Sequence, residues 1–242
     1  MNKIVNEFFE NEKLEDVLLE VLPNGVKYIV NTDKDMKPKA KILHTKYKGL
    51  TDKQIDFLQK DVNDGLKSNY VFPEWYRDFL KTSNGCNLFF SSLCLFAEQT
   101  PWSYVEKYKC YRRDLIDSLN PEWMAPYNLR HPRSIKIDTN SRQRWLSLGE
   151  YKDGTLIEWD YATNKIVAMY AMPVLTPIRE LKKLKETHYE NMICAEWDSF
   201  DDFFLNETKR LKQVVKSFGM DRIEYDKNWK KTLPRGHKDY QE

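Results

Sequence analysis

Glycine is scarce in this chain, with eight residues in 242, and none falls in a G-x-G-x-x-G or G-x-x-x-x-G-K-[ST] arrangement. A loop that cradles phosphate with successive backbone N–H groups is therefore not expected. Cysteine is scarcer still: Cys86, Cys94, Cys110 and Cys194 form no C-x-x-C pair, and none is closely paired with a histidine. That spacing argues against a zinc site or a disulfide framework, and for free, mostly buried thiols in a reducing compartment. Cys86 also follows a helix C-terminus, where the macrodipole disfavours a thiolate. His44, His131, His188 and His237 are isolated, without HxxH, HExxH or HxE spacing, so no metal and no cofactor are expected. No apolar run approaches the roughly 18 residues of a membrane span. The segment Met1 to Glu7 meets acidic residues before any long apolar run, unlike a secretory leader, so a cytoplasmic location and no membrane partner are expected. Excess charge is lacking too, at 39 basic against 37 acidic residues, whereas a dedicated nucleic-acid binder usually has a clearly basic domain.

What charge there is lies unevenly. Residues 1 to 33 carry three lysines against seven carboxylates, and residues 34 to 48 carry six lysines against Asp35. The lysine-rich stretch also contains Pro38 and lacks periodicity, so it reads as an exposed linker. Before it, Ile4, Phe8, Leu14, Val17, Leu18 and Val21 suggest one or two helices, and Pro23-Asn24-Gly25 turns into a strand at Val26 to Val30. Residues 1 to 45 are thus expected to form a separable helical appendage with a basic linker.

Four further segments have clear local readings. Pro73 opens and Asn84-Gly85 closes a short helix whose apolar positions include Tyr76, Phe79 and Leu80. Thr51-Asp52 leads into Ile55, Leu58, Val62 and Leu66 at helical spacing. Lys152-Asp153-Gly154 separates Trp145 to Gly149 from Thr155 to Asp160, and Thr163-Asn164 precedes Lys165 to Tyr170, which predicts a three-stranded antiparallel meander. Ser199 with Asp202 caps a final helix running through Phe203, Phe204, Leu211, Val214 and Phe218. The expected core contains Trp75, Tyr76, Phe79, Leu80, Trp145, Leu146, Ile157, Val167, Phe200, Phe203 and Phe204.

The order of these segments resembles the SUKH superfamily, which includes a yeast cell-wall-synthesis regulator and many bacterial toxin-immunity proteins. The features carrying it are the Pro73, Tyr76, Phe79-Leu80, Asn84-Gly85 pattern, the Gly-bearing turn before a strand ending in Asp160, and the closing Ser199-Phe200-Asp201-Asp202-Phe203. The resemblance implies an α+β fold, with helices packed on a mostly antiparallel sheet. It places a SUKH-like domain at residues 46 to 220, leaves 221 to 242 as a polar tail, and does not reach residues 1 to 49 or Thr100 to Asn140. It implies a non-catalytic protein-binding function, above all an immunity protein that covers the active surface of a cognate toxin. A regulatory or scaffold role like that of the yeast relative is the neighbouring alternative. Glu150, Tyr151, Asp153, Glu158, Asp160, Glu196, Asp198 and Asp201 are the residues expected to meet such a partner, a basic nuclease surface suiting their charge.

Two other function classes compete. Glu150, Asp153, Glu158 and Asp160 gather four carboxylates near one turn, enough in principle for glycoside hydrolysis or for binding a hard cation. Yet Glu158 and Asp160 share a strand face by period two, a pattern that usually marks the solvated side of a sheet, and the Asp before Gly154 serves the turn. The basic segments at 34 to 48, 179 to 185 and 229 to 235 would grip phosphates, but scattered acidic residues make solvated faces the simpler reading.

Overall fold

The computed structural model describes residues 2–11, 17–21, 27–31, 42–46, 49–66, 69, 71–95, 144–170, 189–219 and 222–242. Their fold is α+β, with helices packed against one antiparallel sheet. Nine strands lie in chain order within it: β1 (Val17–Val21), β2 (Lys27–Asn31), β3 (Ile42–Lys46), β4 (Cys86–Leu88), β5 (Leu93–Leu95), β6 (Trp145–Tyr151), β7 (Leu156–Asp160), β8 (Lys165–Met169) and β9 (Ile193–Trp197). Helix α1 (Lys3–Asn11) precedes β1, α2 (Asp52–Leu66) and α3 (Glu74–Thr82) lie between β3 and β4, and α4 (Phe200–Ser217) and α5 (Arg222–Asn228) follow β9. A short 3-10 turn, Trp229–Thr232, ends the series.

Local chemistry accounts for the helix boundaries. Thr51 and Gln54 form a reciprocal capping box at the start of α2: the Thr51 N–H donates to Gln54 Oε1 at 2.9 Å, and the Gln54 N–H donates to Thr51 Oγ1 at 3.4 Å. Pro73 sits at the N-cap of α3, while Ser83 leaves the helix in extended conformation and Gly85 alone takes the left-handed φ of +77°. Asn84 is therefore not needed as the left-handed closing residue. Ser199 caps α4 by accepting from the Asp202 N–H at 3.1 Å. The helix's buried face continues through Leu211 and Val215 rather than Val214.

The main core lies between the helices and one face of the sheet, and joins Val5, Leu43, Ile55, Leu58, Tyr76, Phe79, Leu80, Leu146, Ile157, Phe200, Phe203 and Phe204. Trp75 is only partly buried at its edge. Trp145 and Val167 are buried on the opposite face with Met169 and Tyr189, because strand alternation turns them away from the helices.

The amino-terminal segment differs from its sequence reading. Val17–Val21 is a strand paired with Lys27–Asn31, not a helix. Ile42–Lys46, inside the expected linker, is a strand that pairs on one side with β2 and on the other with β4. Val5 of α1 is fully buried in the main core, and Phe8 packs edge to face on Phe204. Asn2 caps α1 through the Val5 N–H, and its own N–H donates to the Thr82 hydroxyl and the Asp78 carbonyl. These residues are integral to the fold, so an appendage ending near residue 45 does not describe the packing. The 221 to 242 tail is likewise built in, since Tyr225, Thr232 and Leu233 are buried. The basic stretch 179 to 185, the segment 100 to 140, Cys110, His131 and His188 lie outside the described residues.

Candidate functional site

The predicted meander forms β6, β7 and β8, and β9 continues it. Register fixes which side chains share the sheet face away from the main core. Glu158 lies opposite Ser147 on one side and Val167 on the other, Asp160 lies opposite Trp145 and Lys165, and Val167 lies opposite Glu196. Lys165 Nζ reaches Glu196 Oε1 at 2.9 Å and Asp198 Oδ1 at 3.6 Å. Lys165 thus holds two carboxylates of one segment, Glu196 and Asp198, and strand register sets it opposite Asp160.

Glu158 and Asp160 are each only 2% exposed. The expectation of a solvated strand face is therefore wrong at these two positions. Burial of ionisable groups costs several kcal/mol unless they are neutralised or paired, and the two residues meet that cost differently. Asp160 is paired: Arg144 Nε and Nη2 hold its two oxygens at 2.9 and 2.8 Å, and the N–H groups of Ala162 and Thr163 donate to Oδ1. Burial alone would raise its pKa, but the Arg144, Thr163 and Ala162 hydrogen bonds outweigh it and hold the carboxyl below the usual range. Glu158 is neutralised: burial pushes its pKa up to about 8, against a smaller lowering by the Ser147 hydroxyl, which donates to Oε1 at 2.8 Å. Among the described residues its Oε2 has no hydrogen-bond partner, and neither do the buried Trp145 Nε1 and Tyr189 hydroxyl on the same side. Trp145 and Tyr189 pack with ring centroids 5.9 Å apart, and the Arg144 guanidinium lies over the Trp145 ring.

Two carboxyl-bearing residues on one strand, their backbone positions about 7 Å apart, are protonated in opposite senses near neutral pH. That is the signature of an acid/base pair, but Asp160 has both oxygens occupied and acts as a structural clamp. What reaches the surface is the rim: Glu196 and Asp198 are exposed, and Glu190 pairs with Arg144 from outside.

The remaining expected residues lie elsewhere. Glu150 belongs to this face by register, opposite Leu156, and is partly exposed. Tyr151 points into the main core, where its hydroxyl donates to Glu207 Oε2 at 2.9 Å. Asp153 accepts from the Thr155 N–H and hydroxyl in its turn, and His237 Nε2 lies 3.0 Å from it. Asp201 stands at the start of α4 and accepts from Asn2 Nδ2 at 3.3 Å. Sequence reasoning missed Ser147, Arg144 and Lys165. Lys165 was findable, because a turn at 161 to 164 places it directly opposite Asp160.

Among the described residues no group of three His, Cys, Asp or Glu is arranged to hold a metal ion, and no helix is long and apolar enough to cross a membrane. Burial raises the thiol pKa of Cys86 and Cys94 well above the ordinary value, and that of Cys194 to about 11, so these groups stay protonated and poorly nucleophilic near neutral pH. Comparison with protein-family models, curated proteins and solved structures finds no match.

Proposed function

We propose that the chain is a non-catalytic protein-binding domain, of the immunity type that its resemblance implies, which neutralises a cognate toxin in the cytoplasm by covering its active surface. The observation that supports this most is the bridging of Glu196 and Asp198 by Lys165 beside the Asp160 clamp. It gives carboxylates from β9 and the start of α4 one common, outward rim on a stiff sheet. An interface on the order of 1,600 Å² needs a rigid platform with charge at its edge, and rim charge acts chiefly on the rate of encounter. A basic nuclease groove is the complementary surface. The buried Glu158 and Asp160 support the platform rather than touch the partner.

Co-expression with the protein encoded immediately upstream tests the reading. Wild type should protect the host, and a folded Glu196→Lys, Asp198→Lys variant should associate more slowly, most of all at low salt. Full protection by that variant, with unchanged association rate, would move the interface elsewhere.

The unpartnered Oε2 and raised pKa of Glu158 favour one reading of another class, a hydrolase with Glu158 as general acid. Glycosidase or esterase turnover lost in Glu158→Gln, with the fold intact, would establish it over the binding function.

A further inference from the structure

A second surface, independent of the acidic rim, lies at the open edge of the sheet. Strand β9 is the last in the strand order, so among the described residues one side of its backbone has no neighbouring strand. Bare edges are templates for another strand, and proteins normally cover or blunt them. Here the cover is partial. The carboxy-terminal segment crosses β9 at Cys194, so closely that a Cβ on Gly236 would stand 1.7 Å from the Cys194 carbonyl oxygen. Beyond the crossing, Ala195 to Trp197 border a groove of about 380 Å³, within the roughly 300–1,000 Å³ of ligand sites. The facing wall is the stripe Asn206, Lys209 and Gln213 of α4, spaced by three and four residues, and Arg235 borders the groove as well.

The charge of this groove is set by which groups are already committed. The Glu196 side chain is drawn to Lys165 on the sheet face. Arg210 is held by Glu207 and by the carbonyls of Lys231 and Thr232. Lys209 and Arg235 are exposed and, among the described residues, in no ion pair. The groove therefore presents an open strand edge together with two uncommitted cations.

We infer that this groove binds an extended acidic segment of a partner protein, which adds as a tenth strand on β9 between the strand and α4. Backbone pairing with Ala195 to Trp197 supplies a sequence-independent part of the affinity, and side chains on alternate positions meet Lys209 and Arg235. At about 3.3 Å per residue the open half of β9 accommodates three to four residues.

The probe is a blocked pentapeptide alternating valine with glutamate, titrated into the full chain and followed by amide NMR and fluorescence anisotropy. Saturable binding is expected, with perturbation and slowed exchange of the Ala195, Glu196 and Trp197 amides. The lysine analogue should not bind. Methylation of alternate peptide nitrogens should abolish binding, since it removes the backbone donors while leaving the charge. A Lys209→Glu, Arg235→Glu variant, altered only at exposed positions, should lose about tenfold or more in affinity. Equal binding of acidic and basic peptides, tolerance of N-methylation, or shifts confined to other elements would overturn the proposal. So would concentration-dependent protection of β9 without peptide, which would make the edge an interface between copies of this chain. Asp198 does not line this groove, so Asp198→Lys alone tests the acidic rim, Lys209→Glu with Arg235→Glu tests the groove, and the two proposals fail separately.

Discussion

Ser147 on β6 donates its hydroxyl to Glu158 Oε1 on β7 at 2.8 Å, and Glu158 Oε2 is left without a partner among the described residues. The carboxyl survives there because it keeps its proton, and this gives stability a definite pH dependence. Its ordinary pKa of 4.5 is raised by burial to about 8 in the folded chain. Below pH 4.5 both states are protonated and the contribution is fully present. Between 4.5 and 8 the unfolded chain releases the proton and the folded chain does not, so folding loses up to about 1.4 kcal/mol per pH unit. Glu158→Gln removes that slope. Urea denaturation from pH 6.5 to 8 should show wild type weakening while the variant stays nearly flat; parallel curves would mean that Glu158 is ionised in the folded state.

His44 works in the opposite direction. Burial, aided by the positive field of Lys212, lowers its pKa to about 3, and its Nδ1 accepts from the Phe89 N–H at 3.1 Å. The unfolded chain takes up a proton as pH falls through 6.5, so this contribution is complete above 6.5 and is lost towards pH 3. The His44 and Glu158 slopes oppose each other between 4.5 and 6.5. A plateau of thermal stability across that interval, falling on both sides, is the expected profile, and removal of His44 by His44→Asn should flatten the acid limb at some cost in overall stability.

Tyr151, Glu207 and Arg210 form a buried network joining the sheet, α4 and the 3-10 turn. Arg210 donates to both Glu207 oxygens and to two backbone carbonyls, and Tyr151 donates to Glu207. Arg210→Met leaves the Glu207 charge buried and uncompensated, which should cost about 3–5 kcal/mol. Tyr151→Phe removes one hydrogen bond and should cost about 1 kcal/mol. Equal effects in chemical denaturation would contradict this hierarchy. Hydrogen exchange at Thr232 and Leu233 should speed up in the Arg210 variant alone.

Helix α1 is a structural part rather than an attachment. Phe9→Ala should cost about 3 kcal/mol, and deletion of residues 1 to 11 should yield an unfolded or insoluble chain. A truncated protein with native circular dichroism and cooperative melting would restore the appendage reading.

These results separate what a sequence displays from what it conceals. The capping pairs at Thr51 and Ser199, the Asp153-Gly154 turn and the buried positions of α3 were legible, because each depends on residues close in the chain. Strand β1 was not, since Leu14, Val17, Leu18 and Val21 also fit helical spacing and the choice is made by pairing with β2. Strand β3 was masked by its lysine-rich surroundings. The alternation of Glu158 and Asp160 correctly put them on one face, but whether that face is wet depends on Ser147, Arg144 and the apolar residues of other strands. Arg144 lies 16 positions from its partner, and nothing in the local pattern announces it.

The contact between Phe8 and Phe204 has a consequence for how the chain is made. Helix α1 leaves the ribosome about 190 residues before the helix that shelters it, an interval of roughly 10–40 s at ordinary rates of synthesis. Throughout that time Val5, Phe8 and Phe9 have no native partner from α4, so α1 is the natural place for a chaperone to hold the nascent chain. Silent codon changes that slow translation between β8 and α4 should therefore lower soluble yield without altering one residue of the product.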